Sequence, residues 1–391
     1  MRDVSQKILS VEDAEYFAKR RLPRSMYASI ASGSEKEVTL RANLEAFRDV
    51  TFRPRAAVHV SERDTSTTVL GHKVALPVVI APTGNLRIFH TSGEPSVARA
   101  AAVAGTIQIV SCFMGYPIEE VVAAAKGPVF FNLYFSGGRE NAELMIDRAL
   151  RAGCEALVIT VDWSAEQQKE QNIRQRVDRP GDTHMGSLLR FAPEVMTRPA
   201  WAFDFFRDGM RIETPMWIKP DGKAASMWEA SASIVAEPPT WEDLIWIREQ
   251  WDRPIVLKGI IRPDDARRAV DEGAAGIVVS NHGGRALDSS PATLRVLPEI
   301  VEALDNQIEV YLDSGIRTGS DVVKAVALGA RACLIGRACV WALAAAGEPG
   351  VHRILDVFKR GIDLTLGSLG CPSIAALDAS YLRVPGGWRA G

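Results

Sequence analysis

Eight short runs of aliphatic and β-branched residues, at 77–81, 107–111, 129–134, 157–162, 255–259, 276–280, 310–314 and 332–336, constrain the fold of this chain more than any other feature. Most are followed by a helix-like stretch of about a dozen residues, the alternation that parallel strands and crossover helices produce. The runs are continuously apolar rather than alternating, which suits strands buried on both faces. Eight such units close on themselves, so the expected fold is α/β, a single-domain (β/α)8 barrel. Helix start signals fall where this scheme needs them: Ser92-Gly93-Glu94-Pro95, Arg262-Pro263-Asp264-Asp265 and Gly319-Ser320-Asp321.

Two segments lie outside the repeat. Residues 1–55 read as an N-terminal helical extension packed against the barrel. Residues 164–254 form a long insertion after strand 4, with Trp201, Phe203, Phe205, Phe206, Trp217, Trp228, Trp241, Trp246 and Trp251 among prolines and charges. So long a segment in a compact domain is usually functional or disordered. Trp241, Trp246 and Trp251 are expected to pack a helix on the barrel. Trp201, Trp217 and Trp228 are expected to form a lid over the pocket, with a subunit or membrane contact as the alternative.

Composition narrows the function classes. With 391 residues, 47% hydrophobic and 24% charged, the chain reads as a soluble globular protein with a large core. Its 46 basic and 48 acidic residues give no bulk attraction to nucleic acid or acidic membranes, so any partner must be recognised locally. Cys112, Cys154, Cys333, Cys339 and Cys371 form no Cys-x-x-Cys pair; they read as small buried hydrophobes of a reducing cytoplasm, and no metal is expected. The first 17 residues carry Arg2, Asp3, Lys7, Glu12, Asp13 and Glu15 without an apolar core of signal-peptide length. No stretch approaches the ~20 apolar residues that span a bilayer. A cytoplasmic protein, at most peripheral to a membrane, is expected.

Barrel enzymes keep their chemistry at the C-terminal strand ends. Here those ends carry Ala81-Pro82-Thr83-Gly84, Ser111, Asn132, Tyr134, Thr160, Asp162, Lys258, Ser280, His282, Arg285, Asp313, Gly315, Arg317, Gly336 and Arg337. So many polar groups in one mouth cost desolvation unless something pairs with them. In Ser280-Asn281-His282-Gly283-Gly284-Arg285, an imidazole can take a proton near neutral pH and a guanidinium can grip a carboxylate, which together suggest proton abstraction from a small anion. A structural histidine in a glycine turn is the competing reading, and the crowd of polar strand ends weighs against it. Gly315 with Arg317, and Gly336 with Arg337, follow strands 7 and 8, where barrels commonly bind phosphate.

These residues resemble the FMN-dependent α-hydroxy-acid oxidases and dehydrogenases, the family of glycolate oxidase, lactate oxidase and mandelate dehydrogenase. The resemblance spans nearly the whole chain: Leu22-Pro23 with Tyr27, Ala31-Ser32-Gly33-Ser34-Glu35, Phe52-Arg53-Pro54-Arg55, Thr160-Val161-Asp162, Leu257-Lys258-Gly259, the histidine run with Leu287-Asp288, and Asp313-Ser314-Gly315-Ile316-Arg317. It implies FMN as cofactor, a homotetramer, and an electron acceptor that is oxygen, a quinone or a protein. It also implies His282 as general base oriented by Asp162, Arg285 on the substrate carboxylate, Tyr134 on the reacting oxygen, and Lys258 beside the flavin ring. Ala81, Pro82, Thr83, Ser111, Asn132, Thr160 and Ser280 would surround the ring, while Asp313, Gly315, Arg317, Gly336 and Arg337 would hold ribityl and phosphate.

The departures bear on the substrate. Ser29 stands where the family usually has a carboxylate-binding tyrosine, and Lys169 where it has a second carboxylate-binding arginine, a point charge in place of a fork. Gly84 replaces the alanine more usual in oxidases and leans toward a dehydrogenase. Lys19-Arg20-Arg21-Leu22-Pro23-Arg24-Ser25, Asp162-Trp163, Arg198-Pro199-Ala200-Trp201 and Pro238-Pro239-Thr240-Trp241-Glu242-Asp243 are similar to a mycofactocin-associated subgroup that oxidises a peptide-derived lactam amine. That subgroup lacks the arginine that this chain keeps as Arg285. Oxidation of a 2-hydroxy acid to the 2-keto acid is therefore expected, with oxidation of an amine or modified peptide as the alternative and a non-catalytic flavin-binding barrel as the third reading.

Overall fold

A computed structural model describes residues 4–165, 168–174, 192–219, 222–226, 229–230 and 238–388. Eight parallel strands close into a barrel: β1 Val78–Ile80, β2 Gln108–Ser111, β3 Val129–Leu133, β4 Ala156–Thr160, β5 Ile255–Ile260, β6 Gly276–Val279, β7 Glu309–Leu312 and β8 Ala332–Ile335. Each sits within a residue or two of its expected run. The apolar runs are unbroken because alternate residues enter two different cores. Val79, Ile109, Phe130, Val158, Val256, Val278, Tyr311 and Leu334 fill the barrel interior, one from each strand. Their neighbours, such as Ile277 and Val279 on β6, pack outward against the helices.

β4 pairs directly with β5, in register from Leu157↔Ile255 through Thr160↔Lys258, so the insertion leaves the barrel wall intact. Its described residues return to the barrel through a helix at Trp241–Gln250, started by a Thr240–Asp243 capping box. Trp251 is fully buried and Trp246 meets Phe135 edge-on, so this helix packs as expected. Trp201, placed by sequence in the lid, is packed into the fold as an anchor. It is buried, stacks on Phe205, and donates from its indole to the Ile88 carbonyl at 2.8 Å. Asp204 and Asp208, one turn apart, pair with Arg21 and Arg87, tying the same helix (Pro199–Arg207) to the N-terminal segment and to the loop after β1. Trp217 is half-buried, and Trp228 lies outside the described residues.

The N-terminal extension forms three helices, α1 Val11–Arg21, α2 Arg24–Ala31 and α3 Val38–Asp49. It is docked on the loop that carries the histidine run. The Asp288 carboxylate accepts from the backbone N–H of Lys36, Val38 and Thr39, and so caps α3 from across the molecule. Asn43 and Asn281 exchange side-chain amide hydrogen bonds of 2.9 Å in both directions. The helix after β7, Gly319–Ala327, takes the Gly319-Ser320-Asp321 start signal into its own first turn, three residues ahead of the expected start at Val322, because Thr318 makes a capping box with Asp321. The five cysteines are buried and free. Among the described residues no helix is long and apolar enough to cross a membrane, and no cluster of three His, Cys, Asp or Glu could hold a metal.

Candidate active site

The strand period of two carries the barrel interior up to the site. Two residues beyond each interior hydrophobe, the chain places Ala81, Ser111, Asn132, Thr160, Lys258, Ser280, Asp313 and Gly336, one from each of the eight strands. The interior layer directly beneath this ring is aliphatic or aromatic. The ring itself is small or polar, a floor on which a flat ligand can lie. Asn132 donates from Nδ2 to the Val158 carbonyl and the Thr160 hydroxyl, both at 2.9 Å, while its Oδ1 is buried without a donor. Such an orphaned acceptor costs free energy that a ligand N–H would recover.

Lys258 is buried in this floor, 3.1 Å from Ser280 Oγ and 3.4 Å from Asp313 Oδ2. Burial by itself would lower the ammonium, yet Asp313 and Asp162 outweigh it and keep Lys258 charged. Above the floor, His282 holds a left-handed backbone at φ 60, followed by Gly283 and Gly284 at φ 68 and 74. Gly284 is required by close approach: a Cβ there would come within 2.6 Å of the Leu40 backbone nitrogen on α3.

The imidazole is held at both nitrogens. Nδ1 faces Asp162 Oδ1 at 3.1 Å and Nε2 meets the Tyr134 hydroxyl at 2.9 Å. Burial would raise the Asp162 carboxyl, but His282 and Lys258 overcome it and hold Asp162 ionised. An ionised acceptor on Nδ1 fixes the proton there, leaving the Nε2 lone pair directed toward Tyr134. Burial and the Lys258 ammonium press His282 below its ordinary range, against the pull of Asp162, which favours the neutral ring at rest. Burial and the Asp162 charge also keep the Tyr134 phenol protonated.

Arg285, half-buried beside Tyr134 and His282, places Nη1 2.7 Å from the Ser29 carbonyl. Among the described residues no carboxylate lies within ion-pair distance of it. The Ser29 side chain itself turns to the Met26 carbonyl at 2.7 Å, so it is the Ser29 backbone that reaches the site. Lys169 sits with Nζ 5.1 Å above the Trp163 ring, and Trp163 in turn packs edge-on to His282 at 4.8 Å. Arg337 donates to the carbonyls of Ile30, Ser32 and Gly283, and so ties α2 to the histidine loop. Beside it, a cavity of about 410 Å³ is lined by Gly315, Arg317, Arg337 and Trp341.

Three contributors escaped the sequence reading. Trp163 looked only like part of a subgroup motif. Phe113, 5.1 Å from Tyr134, sits just past a strand end, a position that was legible. Its Cβ would lie 3.2 Å from a Cβ added at Gly84, a tight contact that a side chain there would crowd. Asn43, the partner of Asn281, carries no local signal.

The FMN-dependent dehydrogenase family model matches residues 18–384. The chain belongs to that family. Pre-mycofactocin synthase of Mycobacterium tuberculosis is 44% identical over 385 residues, covering 97% of this chain and 95% of its own. A peroxisomal (S)-2-hydroxyacid oxidase of Arabidopsis thaliana is 37% identical over 377 residues, covering 96% and 97%. The crystal structure of the monotopic membrane protein (S)-mandelate dehydrogenase superposes with a TM-score of 0.90 at 34% identity, covering 97% of this chain and all of that one. The protein is thus an oxidoreductase that uses FMN. The floor fits that group through its small residues at Ala81 and Gly336, the orphaned Asn132 acceptor and the Lys258 charge.

The acid limb of activity should report the His282 environment. Plotted against pH, the second-order rate of flavin reduction by substrate is expected to fall on the acid side with a midpoint below the ordinary imidazole value of 6.5. Asp162→Asn removes the charge that raises His282, so the midpoint should move lower still while the rate drops. Rapid-mixing reduction at a series of pH values checks this; an upward shift in the variant contradicts it.

Proposed function

We propose that this protein oxidises a 2-hydroxy acid to the corresponding 2-oxo acid. The supporting observation is Arg285: a half-buried guanidinium, unpaired with any described carboxylate, beside the Nε2 lone pair of His282 and the Tyr134 hydroxyl. A carboxylate gripped by Arg285 would present its α-carbon to these two groups. His282 Nε2 takes a proton from the substrate as that carbon is oxidised, and Asp162 stabilises the imidazolium that results. Tyr134 donates a hydrogen bond to the substrate oxygen as it becomes a carbonyl. Lys258 holds positive charge at the floor, where negative charge accumulates. FMN, when bound, would accept the two electrons and the second proton released by the oxidation.

A second reading rests on the same site. Ser29 offers only its backbone, and Lys169 lies over Trp163, so among the described residues Arg285 is the arginine fork beside His282. A substrate with a less anionic head, such as a cyclic amine, is compatible with that sparseness and with the similarity to pre-mycofactocin synthase. Anaerobic mixing with a racemic panel of 2-hydroxy acids and a panel of cyclic amines separates the readings. Bleaching of the flavin by one or more acids supports the proposal; bleaching by amines alone supports the second reading, and bleaching by neither leaves a non-catalytic barrel.

A further inference from the structure

Three tryptophans of the described structure are almost wholly buried, and two of them satisfy their indole N–H. Trp201 donates to the Ile88 carbonyl at 2.8 Å and Trp251 to the Pro254 carbonyl at 3.1 Å. Trp341, 3% exposed, has no acceptor for Nε1–H. A sealed indole donor normally finds a partner. Trp341 lies in the second turn of the helix that starts at Arg337, with Gly336 as its N-cap. Helical side chains lean back toward the N-terminus, so this ring is carried toward the first turn, where free backbone N–H groups and the helix dipole favour an anion.

The surroundings agree. The ring lines the 410 Å³ cavity together with Gly315, Arg317 and Arg337. The Arg317 guanidinium lies over it at 5.2 Å and donates only to the carbonyl of its own neighbour, Ile316. Among the described residues no carboxylate comes within ion-pair distance of Arg317; Glu12 and Glu15 act on it only from farther off. A stacked cation and an unsatisfied donor therefore share one cavity, whose lining also carries Arg48 and Lys324 against Glu12, Glu15 and Asp321, and Arg337 is already committed to three carbonyls.

We infer that Trp341 binds the phosphate of FMN through its indole N–H, acting with Arg317 as a stacked pair. The inference rests on the placement of the phosphate beside Gly315 and Arg317 and is independent of the substrate reading. Trp341→Phe keeps a ring under Arg317 and removes only the donor. The dissociation constants of FMN and of riboflavin, which lacks the phosphate, are measured on the apoprotein by quenching of flavin fluorescence. FMN should weaken roughly ten- to a hundredfold, the range for one hydrogen bond to a charged group, while riboflavin is unchanged. Equal weakening of both ligands, or no weakening of FMN, overturns the inference. A second readout needs no variant. Among the nine indole N–H resonances of the native apoprotein, one should shift on adding FMN and stay in place with riboflavin. Nine resonances that respond alike to both ligands also overturn it.

Discussion

Replacing His282 with asparagine is expected to leave a yellow, folded protein that its substrate reduces roughly 10²- to 10⁴-fold more slowly. Asparagine is the better probe than alanine. It tolerates the left-handed backbone that His282 adopts, whereas alanine at φ 60 adds strain to the chemical loss. The flavin floor comes from strand residues, and the Ser280 hydroxyl among them meets His282 at its backbone N–H, a contact asparagine keeps, so cofactor content should hold. Rapid-mixing reduction and flavin content per protein measure the two effects separately. Near-native reduction in His282→Asn contradicts the assignment of the base.

The second large effect is expected at Lys258. Its ammonium is the near partner of Asp313 and a charge that holds Asp162 ionised, all in a buried floor. Lys258→Met leaves Asp313 buried without its cation, a change worth about 3–5 kcal/mol of stability. Thermal unfolding of the apoprotein should therefore begin several degrees lower, and flavin reduction should fall as well. The double variant Lys258→Met with Asp313→Asn should recover much of the lost stability and little of the reduction rate. A double variant as unstable as the single one contradicts the pairing.

Much of the architecture was legible because strand period and barrel closure are carried by local pattern. Eight runs read to within a residue or two, and the same period of two delivered the floor residues from Ala81 to Gly336. Contacts that join distant parts of the chain were not legible. Asp288 capping α3, Asn43 against Asn281, and Asp204 and Asp208 reaching to Arg21 and Arg87 have no local signature. The fate of Trp201 shows why. An aromatic in a long insertion looks alike whether it closes a pocket or anchors a loop, and only the acceptor at Ile88 distinguishes the two. Likewise the sequence marked Ser29 and Lys169 as substituted contacts, while the structure shows the Ser29 backbone holding Arg285 and Lys169 lying on Trp163.

Single-turnover reduction by a 2-hydroxy acid and its α-deuterated form tests the central claim most directly. With an acid that bleaches the flavin, one equivalent of 2-oxo acid per flavin reduced is expected, together with a slower reduction for the deuterated substrate that reports cleavage of the α-carbon bond. Absence of reduction by every acid in the panel, alongside reduction by a cyclic amine, would contradict the account.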